Sequence, residues 1–184
     1  RGTMSAIVRV GVDLAKQVFQ VHGVDRAERP VWCKRLKRSR WIANLERDVE
    51  PGAEIGMEAC GSAHHWGRLL QSKGYRVKLI APQFVKPYVK ANKNDARDAE
   101  AICEAVGRPT MRFVAVKSLE QHDLMLLHRQ REQYVKRRTA LANQIRGTLG
   151  QYGIVVSKGL GLLRRALPRL LEDAGNSLSA TARE

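Results

Sequence analysis

Apolar residues in the first fifty positions come in short blocks that end abruptly at polar ones. Ala6-Ile7-Val8-Arg9-Val10-Gly11-Val12-Asp13 reads as a largely buried strand that stops at a carboxylate. After a short Leu14-Ala15-Lys16 turn, residues 17–25 give a second β-like run, and a third follows near Val31-Trp32-Cys33-Lys34. Tight connections between three short strands predict an antiparallel meander. Ser39 is placed to N-cap a helix through about Leu45, with Trp41, Ile42 and Leu45 on one face.

Beyond Pro51 the pattern becomes an alternation of strand and helix. Ala53 to Glu58 is a strand that again ends in a carboxylate, and Gly61-Ser62 opens a helix that Gly74 closes. Tyr75 to Ile80 alternates cleanly as a strand, and Pro82 suits the first turn of a short helix towards Lys90. Asp95 to Val106 predicts a further helix, ended by Gly107-Arg108-Pro109. A meander followed by such units has the element order of an RNase H-like α/β fold, a mixed sheet with helices on its faces.

Residues 118–149 then predict one long Leu-, Gln-, Arg- and Glu-rich helix without proline. Leu127, Tyr134 and Leu141 recur at seven-residue spacing, but Arg131 and Arg138 interrupt the companion register of a coiled coil. A basic Leu-rich helix from Leu160 to Leu171 is expected to kink or break at Pro168, with a polar tail disordered at its end. The expected division is therefore a remnant foreign to the domain (residues 1–3), an RNase H-like domain (4–112), a long helix that pairs with a second copy (113–152), and a linker or the start of another domain (153–184).

Charge sharpens this outline. The 184 residues carry 33 Lys+Arg against 18 Asp+Glu, a formal net charge of +15, with 43 % hydrophobic residues. That is too apolar for a disordered basic tail and points to a folded domain with a polyanionic partner. No apolar run approaches the roughly 18 residues of a membrane span, and no secretory signal opens the chain. Three widely spaced cysteines (Cys33, Cys60, Cys103) give neither a disulfide framework nor zinc spacing, which suits a cytosolic protein. His64-His65 are adjacent on one predicted helix, so only one can face any given site, and structural or solvent roles suit them better than metal binding.

In so basic a chain the placement of acids is informative. Asp13 and Glu58 each terminate an apolar strand, and carboxylates there are rarely buried unless paired or bound to a cation. Asp95 and Asp98 lie three apart at a helix start and share a face. Four such carboxylates can bind two Mg2+ ions, hard cations that prefer oxygen ligands, to clamp the oxygens of a phosphodiester. Taken singly, Asp95 would serve as an N-cap, Asp98 as a first-turn acid and Asp13 as a turn residue.

These segments, Val10-Gly11-Val12-Asp13-Leu14-Ala15-Lys16, Gly56-Met57-Glu58-Ala59-Cys60-Gly61 and Lys93-Asn94-Asp95-Ala96-Arg97-Asp98-Ala99, resemble the motif series of the DEDD insertion-sequence transposases, relatives of Piv-type DNA invertases. The resemblance covers roughly residues 6–160. It implies a RuvC-like fold, an acidic tetrad at Asp13, Glu58, Asp95 and Asp98, dependence on Mg2+ or Mn2+, and recombination of DNA guided by a structured noncoding RNA. It also implies a bacterial, cytoplasmic, nucleoid-associated protein and a later domain with a nucleophilic serine. Ser157, Ser177 and Ser179 have no motif around them, so this chain is expected to bind metal and nucleic acid without completing strand exchange.

Nucleic acid is expected at three basic clusters. Arg29, Lys34, Arg35, Lys37, Arg38 and Arg40 run without an acid, interleaved with Trp32 and Trp41, a composition suited to backbone neutralisation and base stacking. Core tryptophans beside a solvated turn would give the same pattern. Lys86, Lys90 and Lys93 lead into the acidic pair, and Arg137 and Arg138, with Arg129, Arg131 and Lys136, lie on the long helix. The competing functions are a self-sufficient RuvC-like nuclease, a non-catalytic nucleic-acid-binding dimerisation module and an actin-like phosphotransferase; the last lacks its glycine-rich phosphate loop.

Overall fold

A computed structural model describes residues 6–88 and 95–184, with the side chain of Asp95 also outside the described set. The chain divides after Ser118 into two compact units. In the first, strands β1 (Arg9–Leu14), β2 (Val18–Val24), β3 (Pro30–Lys37), β4 (Glu54–Glu58), β5 (Arg76–Ile80) and β6 (Phe113–Val114) form one sheet of order β3-β2-β1-β4-β5-β6. The first three are antiparallel neighbours, β4 and β5 add in parallel to β1, and β6 returns antiparallel to β5. This is the mixed sheet of an RNase H-like fold.

Helices α1 (Trp41–Asp48) and α2 (Ala63–Ser72) cover one face. Val10 and Val12 of β1, Phe19 and Val21 of β2, and Ile55 and Met57 of β4 meet Trp41, Leu45, Trp66 and Leu70 in a single core. Phe19, Trp41 and Trp66 pack edge-to-face with ring centroids 5.5 Å apart, the arrangement aromatic quadrupoles favour. The predicted cap is displaced by one residue: Arg40, not Ser39, stands at the start of α1, without a side-chain cap bond.

On the other face lies α4 (Asp95–Val106), after a short helix α3 (Pro82–Val85) and a 3-10 turn over Lys86–Tyr88. Its seat is made of glycines. A Cβ on Gly11 would lie 2.2 Å from the Ala99 carbonyl oxygen and 2.4 Å from the Cys103 nitrogen, and one on Gly56 would lie 2.1 Å from Val106 Cγ2. Only residues without a side chain let the helix come this close to two adjacent strands.

The second unit holds α5 (Leu119–Gln151), α6 (Leu160–Glu172) and α7 (Ala180–Arg183). Ala142, Leu149, Leu163 and Leu178 form its small core. Of the kink or break expected at Pro168, the break does not occur: α6 continues through it. Pro168 is exposed, so the helix carbonyl that loses its donor can be hydrated instead. The tail carries a short helix: Ser179 caps α7, and the Arg183 guanidinium donates to the Leu170, Leu171 and Asp173 carbonyls. No helix among the described residues is long and apolar enough to cross a membrane.

Candidate metal centre and nucleic-acid interface

Parallel pairing of β1 with β4 matches Gly11 to Gly56 and Val12 to Met57. Asp13 and Glu58 follow directly, side by side at the carboxyl ends of neighbouring strands, and both are half-buried. Side chains alternate along a strand, so the two acids point to the face of their glycines, the one that α4 covers.

The helix runs antiparallel to β1. Gly107, just past its end, lies against the Arg9 guanidinium, and Gly11 lies between Ala99 and Cys103. Two residues of strand span about 6.6 Å, equal to roughly four residues of helix. Asp13, two residues beyond Gly11, therefore stands level with the first turn of α4, which contains positions 95 and 98. Asp98 is half-buried there. Sequence reasoning identified the acids; the glycines that bring their elements together carried a signal, Gly-x-Asp and Gly-x-Glu, that only the helix contact explains.

Among the described residues, no three His, Cys, Asp or Glu side chains gather into a ready-made metal-ligand set. The structure thus brings Asp13 and Glu58 to one strand-end position and α4 over it. The candidate donors are all carboxylate oxygens, the donor type that Mg2+ prefers, whereas zinc sites favour Cys and His. The Nδ1 of His64 accepts from the backbone N–H of Lys117 at 3.2 Å, while the His65 ring packs on Trp66.

The basic stretch of residues 29–40 is less uniform than its sequence suggests. Arg29 is ion-paired with Asp25 at 2.8 Å and Lys34 with Asp48 at 2.8 Å, so two of the six cations are locally neutralised. Hydrogen bonds from Arg47, and also from Lys34 and Trp32, hold the Asp48 carboxyl well below the usual carboxylate range despite its burial. The Asp25 carboxyl is lowered as well, first by the side chain and then by the backbone N–H of Arg29. Trp32 is buried, with Nε1 donating to Asp48 at 2.8 Å, and Trp41 is fully buried. Neither ring offers a face to a base, which corrects the stacking expectation in favour of core tryptophans. Arg38 lies over the rings of Phe19 and Trp66, 5.8 and 5.1 Å from their centroids.

Arg35, Lys37 and Arg40 are exposed and have no ion-pair partner among the described residues. Lys86 is exposed in its 3-10 turn, and Arg137 and Arg138 are exposed on α5. Lys90 and Lys93 lie outside the described residues. A recess of about 390 Å3 on the α4 face, lined by Gln20, His22, Cys33, Arg35, Arg97 and Glu100 among others, went unnoticed in the sequence. Its members are scattered over three elements and converge only through strand register. Burial, with help from Glu100, pushes the Cys33 thiol up, so it stays protonated and is no activated nucleophile.

Comparison with known proteins gives a family match. Residues 10–154 match the family model of IS110-type DEDD proteins, described as a transposase. A probable family 20 transposase of Pseudomonas aeruginosa is 55 % identical over 150 residues, covering 82 % of this chain and 44 % of that protein. A putative transposase, y4pF/y4sB, of Sinorhizobium fredii is 48 % identical over 171 residues, covering 93 % of this chain and 44 % of its own length. The transposase for insertion sequence element IS1111A of Coxiella burnetii is 44 % identical over 171 residues, covering 93 % and 46 % respectively. The chain spans less than half the length of each of these relatives.

Proposed function

Since this chain belongs to the IS110-type DEDD transposases of insertion sequences, we propose that it supplies the metal-binding, nucleic-acid-binding half of a DNA transposase. The observation that carries this reading is that Asp13 and Glu58 each stand one residue beyond the last β1–β4 pair, Val12 with Met57, beneath the helix that carries Asp95 and Asp98. Asp13 and Glu58 are fixed by the two parallel strands, and Asp98 rides on a helix held by Gly11 and Gly56. The four carboxylates hold Mg2+, or Mn2+ in its place. When bound, the cations neutralise a phosphodiester and favour its attack by an oxygen nucleophile.

The basic residues bring the polyanion to this position. Arg35, Lys37, Arg40 and Lys86 neutralise the phosphates of donor or target DNA and of a structured guide RNA, and Arg137 and Arg138 add contacts on α5, through which two copies associate. Strand exchange by the whole protein requires, in addition, a nucleophilic serine outside this chain.

Calorimetric titration with Mg2+ and Mn2+ tests the reading. The wild-type chain binds either ion, and Asp13→Asn or Glu58→Gln abolishes binding while leaving the thermal transition in place. Equal metal binding in wild type and both variants would refute the tetrad. Recombined DNA formed by the purified chain alone would refute the need for a further serine.

A further inference from the structure

Strand register places one row of side chains across the α4 face. Asp13 pairs with Gln20 across β1 and β2, and Gln20 pairs with Arg35 across β2 and β3. With Glu58 beside Asp13, the row reads Glu58, Asp13, Gln20, Arg35, from acid at the centre of the sheet to cation at its edge. We propose that Gln20 and Arg35 form a phosphodiester subsite that holds one nucleic-acid strand beside the acidic centre. The proposal deepens the reading above and rests on it for the identity of that centre.

The chemistry follows from which groups are already engaged. Arg35 is exposed, lines the recess under the first turns of α4, and has no ion-pair partner among the described residues. Gln20 is half-buried in the same recess and supplies a neutral amide donor. Arg97 and Glu100, on the opposite wall, each engage in interactions of their own. Glu100 repels an anion from its own wall of the recess, so a phosphate seats against Arg35.

Spacing fits a strand that continues from the acids. Neighbouring strands stand about 4.8 Å apart, so Arg35 lies two spacings, about 10 Å, from Asp13. One strand of DNA advances about 3.4 Å per nucleotide along the axis, so the subsite meets a phosphate no more than roughly three nucleotides away. The neighbouring cation provides an internal contrast. Lys34 also borders the recess, but it pairs with Val21, whose side chain is in the core under α1 and α2, so its own side chain points to the other face, where Asp48 holds it.

The test is equilibrium binding, in EDTA, of a fluorescein-labelled single-stranded DNA and an RNA of the same sequence. Without divalent cation the outcome does not depend on whether the acids bind metal. Arg35→Ala weakens binding by roughly fivefold at low salt, the net worth of one ordinary hydrogen bond. It also makes the slope of log affinity against log salt shallower by about 0.7, one phosphate contact on a single strand. Arg35→Lys restores the slope, Gln20→Ala gives a smaller loss with the slope unchanged, and Lys34→Ala leaves both nearly unchanged. A loss on DNA alone, on RNA alone or on both supports the subsite and names the strand it holds. Equal losses for Arg35→Ala and Lys34→Ala, or no loss for Arg35→Ala on either strand, would overturn it. Tryptophan fluorescence confirms that each variant is folded.

Discussion

Substituting Gly11 by alanine should be the most damaging single-methyl change in the first unit. The added Cβ would lie 2.2 Å from the Ala99 carbonyl oxygen and 2.4 Å from the Cys103 nitrogen, where ordinary contact begins near 3.4 Å. Both obstacles are helix backbone, so no rotamer change relieves them, and α4 must move out by roughly 1.2 Å, the difference between the first and last of those distances. That shift also loosens Ile102 and Val106, which pack over Gly56 and into the smaller core with Ile80. Overpacking costs about 1–3 kcal/mol where neighbours can adjust, so the upper end or more is expected here, equivalent to a fall in Tm of about 10 °C. All three tryptophans, Trp32, Trp41 and Trp66, belong to the first unit, so urea unfolding followed by tryptophan fluorescence reads that unit separately. Gly61→Ala is the control: no atom lies within 4 Å of its added Cβ, and stability should stay within about 0.5 kcal/mol of wild type. If Gly11→Ala unfolded at the same urea concentration as Gly61→Ala, the glycine seat would not be what positions α4.

In the second unit, Gly147→Ala inside α5 meets nothing within 4 Å and should raise stability by up to about 1 kcal/mol, read by far-UV circular dichroism. Arg183→Ala removes the donor that holds the Leu170, Leu171 and Asp173 carbonyls, at a cost of about 1–3 kcal/mol, visible as faster proteolysis after Gln151. For Asp48, whose folded pKa is depressed, the stabilisation is complete above the unfolded value near 3.9 and is lost as pH falls from there towards the folded pKa. Asp48→Asn should therefore flatten the acid side of a stability-against-pH curve, and an unchanged acid side would show that the Trp32–Lys34–Arg47 cluster contributes nothing. Finally, the triple variant Arg35→Ala, Lys37→Ala, Arg40→Ala should reduce the salt dependence of nucleic-acid binding far more than Arg29→Ala with Lys34→Ala, measured by fluorescence anisotropy across a salt series.

The strands were legible because their signal is local. Period-two alternation and abrupt carboxylates mark β1 and β4, and the α4 boundaries, Asp95 and Val106, coincide with those read from the acidic start and the Gly107-Arg108-Pro109 stop. Two-residue β6 was invisible, since its existence depends on Leu79 and Ile80 pairing with it. The tryptophans misled for a related reason. A basic stretch with interleaved aromatics looks like a nucleic-acid surface, yet β3 turns Trp32 and Leu36 inward while their immediate neighbours face out. Asp48 lies 14 residues beyond Lys34, so counting charges along a short window could not find the ion pair. The contacts of the C-terminal tail were not legible because Arg183 reaches carbonyls 10 to 13 residues earlier in sequence.

Sorting the cations by what they touch changes what the net charge of +15 means for binding. Of the six between Arg29 and Arg40, two are ion-paired, one is stacked on aromatic rings, and three, Arg35, Lys37 and Arg40, are uncommitted. Counterion release counts only cations that neutralise phosphates, about 0.9 of a slope unit each on duplex DNA. Six contacts from this stretch would give a slope contribution near −5.4, whereas three give one near −2.7. The difference arises because the ion pairs to Asp25 and Asp48 and the cover over Phe19 and Trp66 serve the fold first. Of the three left, Arg35 alone has a fixed register to the acidic centre, through Gln20. Lys37 and Arg40, at the end of β3 and the start of α1, can attract a polyanion but have no such row to align it, so alignment of a strand with Asp13 and Glu58 falls to Arg35.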